Sequence, residues 1–256
     1  MTHANDNRFN TAVYPIEGAK ALAGFLRNKE ATSEIFRMLN AIDGPVYERN
    51  FRRFCSTEAG RQIIAEKRNL CATLSDRESL RRLPEGTLGR EYLDFVTREG
   101  LSAEGFQKEM EESGEDLSKL DASRQLYINR IRHSHDLFHV LTGYGRDFIG
   151  ELGLLGFTYQ QSGLRTFAIM LQFSILKARK DFPGLPVRAV VREGHRIGKN
   201  ANRLHAADWE SLLAQPLHAV RAQYNIKSPE LYLSIAEESA ARDETYRKEQ
   251  AALAAA

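Results

Sequence analysis

Cysteine is scarce in this 256-residue chain, which contains only Cys55 and Cys71. Two thiols cannot build a disulfide framework or a cysteine-ligated zinc site, so they read as free thiols in a reducing compartment. An excess of one charge is also missing. Lys and Arg number 36 against 34 Asp and Glu, a net charge of +2, and that balance argues against a nucleic-acid partner. No long hydrophobic run is present either. The most apolar stretch, Leu152 to Leu176, is interrupted or bounded by Gln160, Gln161, Arg165, Gln172 and Lys177, and its longest clean run is the FAIML of 167–171. A bilayer span wants about 20 predominantly apolar residues, so the stretch reads as buried helix. The first residues, MTHANDNRFN, show no positive region leading into an apolar segment. Neither a secretory signal nor a membrane anchor is expected, and a cytoplasmic location follows.

What the chain does have is helical spacing over most of its length, with no β-rich region of regular spacing. Apolar residues make up 42% of the composition and charged residues 27%, ordinary for a globular protein and far from disorder. Leu22, Phe25 and Leu26, then Ile35, Phe36, Leu39 and Ile42, form a 3.6-residue stripe that Asp43-Gly44-Pro45 stops. A second helix is expected from near Ser56, carrying Ile63, Ile64 and Leu70. A third starts after Thr87 as N-cap, with Leu88, Tyr92, Leu93 and Val96 on one side. An acidic stretch from Glu109 to Asp121 reads as a solvated helix end and loop. Helical pattern resumes from Leu126 to Leu141, and Pro183-Gly184-Leu185-Pro186 precedes another helical stretch to about Leu204. Short closing helices are expected over Trp209 to Tyr224, with Pro216 near a helix start. These readings predict an all-α fold: a single compact helical domain over 1–236 with a helical or frayed tail over 237–256.

The residues that carry chemistry sit in RHSHDLFHVLTGYGRDFIGEL. His135 and His139 are four apart, which on a helix puts both imidazoles on one face. Asp136 lies about 100° around that helix from His135, close enough to reach a shared ion or to orient an imidazole. Glu151 cannot join them on one uninterrupted helix, because twelve residues at about 1.5 Å each place it about 18 Å from His139. Gly143, Gly145 and Gly150 supply places to break and reverse the chain, so a second helix could return Glu151 to the histidines. The expected site is therefore a divalent-metal centre between two helices, with His135, Asp136, His139 and Glu151 as ligands. A mixed nitrogen and oxygen shell suits zinc, the first expectation, or iron or manganese.

At these residues the chain resembles the coenzyme Q biosynthesis protein 4 family. That family's pattern, HDxxH followed after eleven residues by Glu, is met by His135, Asp136, His139 and Glu151. Arg130 and Arg132 fit the basic pair before the motif, and Gln161-Ser162-Gly163-Leu164 resembles a following Gln-Thr-Gly-Leu element. PEGTLGREY, Pro84 to Tyr92, resembles an upstream element, and Trp209, Pro216-Leu217, Val220 and Arg221 resemble the closing region. His133 stands where many members carry Glu, while Leu155 and Thr158 replace charged residues frequent in eukaryotic members, departures that suit a bacterial branch.

The resemblance implies a helical protein of ubiquinone biosynthesis. The implied reaction is a metal-dependent oxidative decarboxylation, in which the ring carboxylate of a prenylated hydroxybenzoate gives way to a hydroxyl. Arg130, Arg132 and His133 are the candidate catalytic side chains beside the ion. Leu152, Leu155, Phe157, Phe167, Met170, Leu171 and Phe173 are candidates for an isoprenoid channel. The alternative is a non-catalytic isoprenoid-binding or scaffold protein. Expected partners are a prenylated quinone precursor, other ubiquinone-biosynthesis enzymes, a second copy of the chain, and peripheral contact with the inner face of the cell membrane.

Overall fold

Short polar side chains mark where helices begin. Thr57, Asn69, Asp76, Asp121 and Asp147 each accept a hydrogen bond from the backbone N–H three residues on, at 3.0–3.2 Å. Each satisfies one of the amide donors that a helix leaves orphaned at its start. The computed structural model of the protein describes residues 8–27, 32–103, 105 and 117–254. Among these the helices are α1 (Pro15–Arg27), α2 (Thr32–Ile42), α3 (Gly44–Ser56), α4 (Glu58–Ala65), α5 (Leu70–Ser75), α6 (Arg77–Arg81), α7 (Leu88–Arg98) and α8 (Ala122–His133). They continue as α9 (His135–Thr142), α10 (Phe148–Ser162), α11 (Arg165–Asp181), α12 (Val187–Asn200), α13 (Trp209–Leu212), α14 (Leu217–Gln223), α15 (Glu230–Leu233) and α16 (Ala236–Ala254). No strand occurs among the described residues, and the fold is all-α. Of the acidic stretch from Glu109 to Asp121, residues 109–116 lie outside them.

Contacts divide the chain into two compact units. One comprises the residues up to Leu137 with Leu164–Thr166 and Arg203–Leu217; the other comprises Phe138–Gly163, Phe167–Asn202 and the residues from His218 on. In the first unit, Phe9 stacks on Tyr47 at 5.4 Å, and Phe51 and Phe54 pack against the fully buried Tyr127. Asp43-Gly44-Pro45 ends α2 as expected, but α3 follows at once. The sequence reading has no helix there, because the arginines between Val46, Phe51 and Phe54 dilute the stripe. Buried Glu48 of α3 takes a two-pronged bond from Arg124, at 2.9 and 2.7 Å. Burial alone would raise the Glu48 carboxyl, but bonds from Arg124 and Arg52 outweigh it and hold the group below its usual range.

The Pro84–Tyr92 element and the closing region meet in this same unit. Leu88 N–H donates to Gln215 O and Gly89 N–H to Leu213 O, while Leu217 N–H donates to Gly86 O. Thr87 and Pro216 form an isolated antiparallel bridge.

In the second unit, α10 and α12 cross with their backbones in contact. A Cβ placed on Gly194 would stand 2.0 Å from the Gly153 carbonyl oxygen, and one on Gly198 would stand 2.6 Å from that of Phe157. Only glycine permits so close a crossing. Glu193 of α12 accepts the backbone N–H groups of Leu231 and Tyr232 at 3.0 and 3.1 Å. The alanine-rich α16 packs Tyr246 against Phe182, and Lys177 donates to the Tyr246 hydroxyl at 2.7 Å.

Candidate metal centre

The stretch from Leu126 to Leu141 is broken at Ser134, which caps α8 so that α9 starts anew at His135. Leu137 and Leu141, both fully buried, fix the inward face of α9, and His135 and His139 follow each other one turn apart. At the far end, Gly143 takes a φ of +87°, a left-handed conformation that glycine adopts without penalty. Arg221 caps the same end, its Nε donating to Leu141 O at 2.8 Å and its Nη2 to Val140 O at 3.0 Å. Five residues later Asp147 caps α10, placing Glu151 in that helix's first turn. Gly143 thus breaks the chain as the spacing suggests. Gly150 instead lies within α10, where a Cβ would come 2.4 Å from Gly145 O.

The return brings three of the four expected ligands together. One ligand atom from each of His135, His139 and Glu151 lies within 4.8 Å of the others, with His139 buried. His139 Nδ1 sits 2.9 Å from the Tyr144 carbonyl oxygen. A carbonyl can only accept, so Nδ1 carries the proton and Nε2 presents its lone pair. That lone pair lies 3.4 Å from Glu151 Oε1. The distance is long for a hydrogen bond but close to the about 3.3–3.4 Å edge of a tetrahedron with 2.0–2.1 Å metal–ligand bonds. The donor set, two imidazoles and a carboxylate, fits a divalent ion. Arg146 Nε stands 3.9 Å from Glu151 Oε1 and adds a positive charge beside it.

Asp136 is not one of these three. It lines a separate cleft of about 10 Å³ with Tyr92, Ala103, Arg132, His133 and His135. His133 is buried there; burial lowers its pKa, Asp136 pulls the other way and Arg132 reinforces the drop, so the ring is held neutral. Arg132 stacks its guanidinium 4.7 Å from the Phe36 ring centre. Arg130 is buried, with both terminal nitrogens on the Glu210 carboxylate at 2.7 Å and a third bond to Ala207 O at 2.9 Å. Of the candidate channel residues, Leu152, Phe157 and Leu171 are buried, Leu155, Phe167 and Met170 half-buried, and Phe173 exposed.

Two supports of this centre went unread in the sequence, one of them unreadable there. The Tyr144 carbonyl is backbone and leaves no residue signature. Asp147 does carry one, as a polar residue before an apolar helical run, four positions ahead of Glu151.

The sequence model of the family described as coenzyme Q (ubiquinone) biosynthesis protein Coq4 matches residues 16–230. The chain belongs to this family. Among its relatives, the mitochondrial ubiquinone biosynthesis protein COQ4 of Scheffersomyces stipitis is 26% identical over 186 residues, 72% of this chain and 56% of that protein. The mitochondrial homolog of Rattus norvegicus is 29% identical over 175 residues, 66% of this chain and 62% of that protein. The chain therefore spans less than two thirds of the length of these relatives. A crystal structure of a protein from Nostoc punctiforme PCC 73102, named for ubiquinone biosynthesis, has the same fold. Its TM-score is 0.62 at 18% identity, covering 83% of this chain and 98% of that one. The Coq4 match contains all of the expected metal ligands. Among the described residues of this Coq4-family chain, no helix is long and apolar enough to cross a membrane.

Proposed function

We propose that this protein acts in ubiquinone biosynthesis as a metal-dependent oxidative decarboxylase of a polyprenylated hydroxybenzoate. Membership of the Coq4 family supports the pathway. The observation that carries the chemistry is the His139 imidazole, its proton held on Nδ1 by the Tyr144 carbonyl and its Nε2 facing Glu151 beside His135. In the proposed reaction the ring carboxylate leaves as carbon dioxide and the ring carbon gains a hydroxyl, a two-electron oxidation in which one dioxygen, as the external oxidant, and one water are consumed and one hydrogen peroxide is released.

A divalent ion bound at this centre would serve as a Lewis acid toward the carboxylate or phenolic oxygen, and iron or manganese would add redox capacity that zinc lacks. The chain's own residues do the rest. His139 and Glu151 supply one neutral and one anionic donor, leaving part of a divalent charge to attract an anionic substrate. Arg146, beside Glu151, offers a further positive charge to a carboxylate entering there. Arg130 is committed to Glu210 and acts at a distance, by fixing α8 to the Ala207–Glu210 segment.

The test is turnover of a short-chain prenylated 3,4-dihydroxybenzoate by protein loaded separately with zinc, iron and manganese under dioxygen. Carbon dioxide and hydroxylated ring should appear in equal amounts with at least one metal. Stoichiometric metal binding without product from any of the three would refute the enzymatic reading. The non-catalytic alternative would then stand if prenylated lipid co-purified unconverted.

A further inference from the structure

A continuous hydrogen-bonded path leads away from His139. The Tyr144 carbonyl that accepts its Nδ1–H belongs to the same peptide unit as the N–H of Gly145, and a trans peptide points the two in opposite directions. That N–H donates to the Tyr232 hydroxyl oxygen at 3.0 Å. The Tyr232 hydroxyl in turn donates to Asp147 Oδ2. Asp147 Oδ1 accepts from Gly150 N–H at 3.1 Å, which starts the helix bearing Glu151, and also from the Ser239 hydroxyl of α16. Glu151 N–H donates to the Asp147 carbonyl at 2.9 Å. Asp147 is therefore linked directly to the helical turn of one ligand and, through three hydrogen bonds in series, to the tautomer of another. The glycine at 145 is required for this approach, since a Cβ there would lie 2.4 Å from the Tyr232 hydroxyl.

We propose that Asp147, Tyr232 and Ser239 are positioning residues of the metal centre, through which α15 and the C-terminal α16 hold His139 and Glu151 in their ligating arrangement. The inference rests on the metal reading above. Tyr232 and Ser239 lie beyond residue 230, where the Coq4 match ends. Burial, followed by the Asp147 carboxylate, holds the Tyr232 phenol protonated, as a donor to that carboxylate must be.

The test compares Tyr232→Phe and Ser239→Ala with Tyr246→Phe in the full chain. Tyr246→Phe also removes a hydroxyl that ties α16, the helix of Ser239, but its partner is Lys177. Two quantities are read: affinity for zinc and cobalt in competition with a chelator, and the Nδ1–H population of His139 in metal-free protein by nitrogen NMR. Tyr232→Phe should weaken metal binding about 10-fold, the usual effect of losing a group that orients a ligand. It should also turn a single His139 tautomer into a mixture. Ser239→Ala should shift both readings in the same direction by less, and stands in if Tyr232→Phe fails to fold. Tyr246→Phe should leave both unchanged. Wild-type affinity and tautomer in both cluster variants, or an equal loss in Tyr246→Phe, would overturn the proposal. If the unaltered protein binds neither metal, the metal reading fails on its own, and the tautomer measurement alone decides whether the cluster orients His139.

Discussion

Replacing Gly194 by alanine tests the backbone contact that places Glu151. The new Cβ would stand 2.0 Å from the Gly153 carbonyl oxygen, with the Gly153 carbonyl carbon at 3.0 Å and Phe157 N at 3.2 Å. Ordinary contact begins near about 3.4 Å, so the shortfall is about 1.4 Å. A side-chain neighbour could rotate away, but this one is a main-chain carbonyl inside α10, and so the helices must separate. Overpacking costs about 1–3 kcal/mol, and backbone against backbone belongs at the upper end. Alanine's better helix propensity offsets about 1 kcal/mol. The expected net loss is about 2 kcal/mol, read as a lower urea midpoint at unchanged slope. Because Glu151 is two residues from Gly153, metal affinity should fall as well. Gly184→Ala is the comparison: its φ is +89° with open space around it, so it should lose about 1 kcal/mol through strain and leave metal affinity alone. If Gly194→Ala were as stable as the unaltered protein, or more so, the close crossing would be refuted.

Three further outcomes are expected. Arg130→Met should destabilise by about 3–5 kcal/mol in thermal or urea unfolding, because it strands Glu210 in a half-buried pair; unchanged stability with lost turnover would return Arg130 to a catalytic role. Glu151→Gln should weaken zinc binding by about 10-fold or more in isothermal titration while changing metal-free stability little, and equal affinity would remove Glu151 from the centre. Burial lowers the pKa of His195, whose neutral Nδ1 lies 3.0 Å from the Gln160 amide. The unfolded chain therefore takes up this proton first: the stability it contributes is complete above about pH 6.5, falls as the pH drops below that, and should fall less steeply in His195→Gln. Urea midpoints between pH 5 and 8 for the two proteins, with the same slope, would contradict this.

The parts of the fold legible in the sequence are those written in periodic apolar residues and in caps. Thr87 before Leu88 gave α7, and Asp43-Gly44-Pro45 gave the end of α2. Helix α3 was not legible, since Arg49, Arg52 and Arg53 interrupt its apolar positions, and its place depends on Arg124 finding Glu48 from 76 residues away. The same division runs through the metal centre. His135 and His139 follow from helical geometry alone, and the return of Glu151 follows from length and Gly143. Asp136 shares the helix and the motif, yet it stands outside the group of three, one residue along α9 being a rotation of about 100°, and lines the cleft with His133 and His135. Spacing says which side chains can meet, whereas the choice among neighbours on one turn depends on what the other elements pack against.

Charged residues show most clearly why sequence reading assigns roles too directly. Arg130 and Arg221 both belong to segments that resemble the family pattern, and a cation near a proposed substrate anion invites a catalytic reading. Their partners point to a different kind of work. Arg221 closes the carbonyl end of α9, where the last turn leaves acceptors unfilled and the helix dipole is negative, and it does so with two bonds from separate nitrogens of one planar guanidinium. Arg130 makes three bonds to the Ala207–Glu210 segment from within α8. A guanidinium held by three acceptors has little freedom to meet a substrate, but it fixes the direction of its own helix strongly. The placement of His139 and Glu151 therefore rests on Arg221, the Tyr144 carbonyl and the Asp147 cap, none of which belongs to the three candidate ligands.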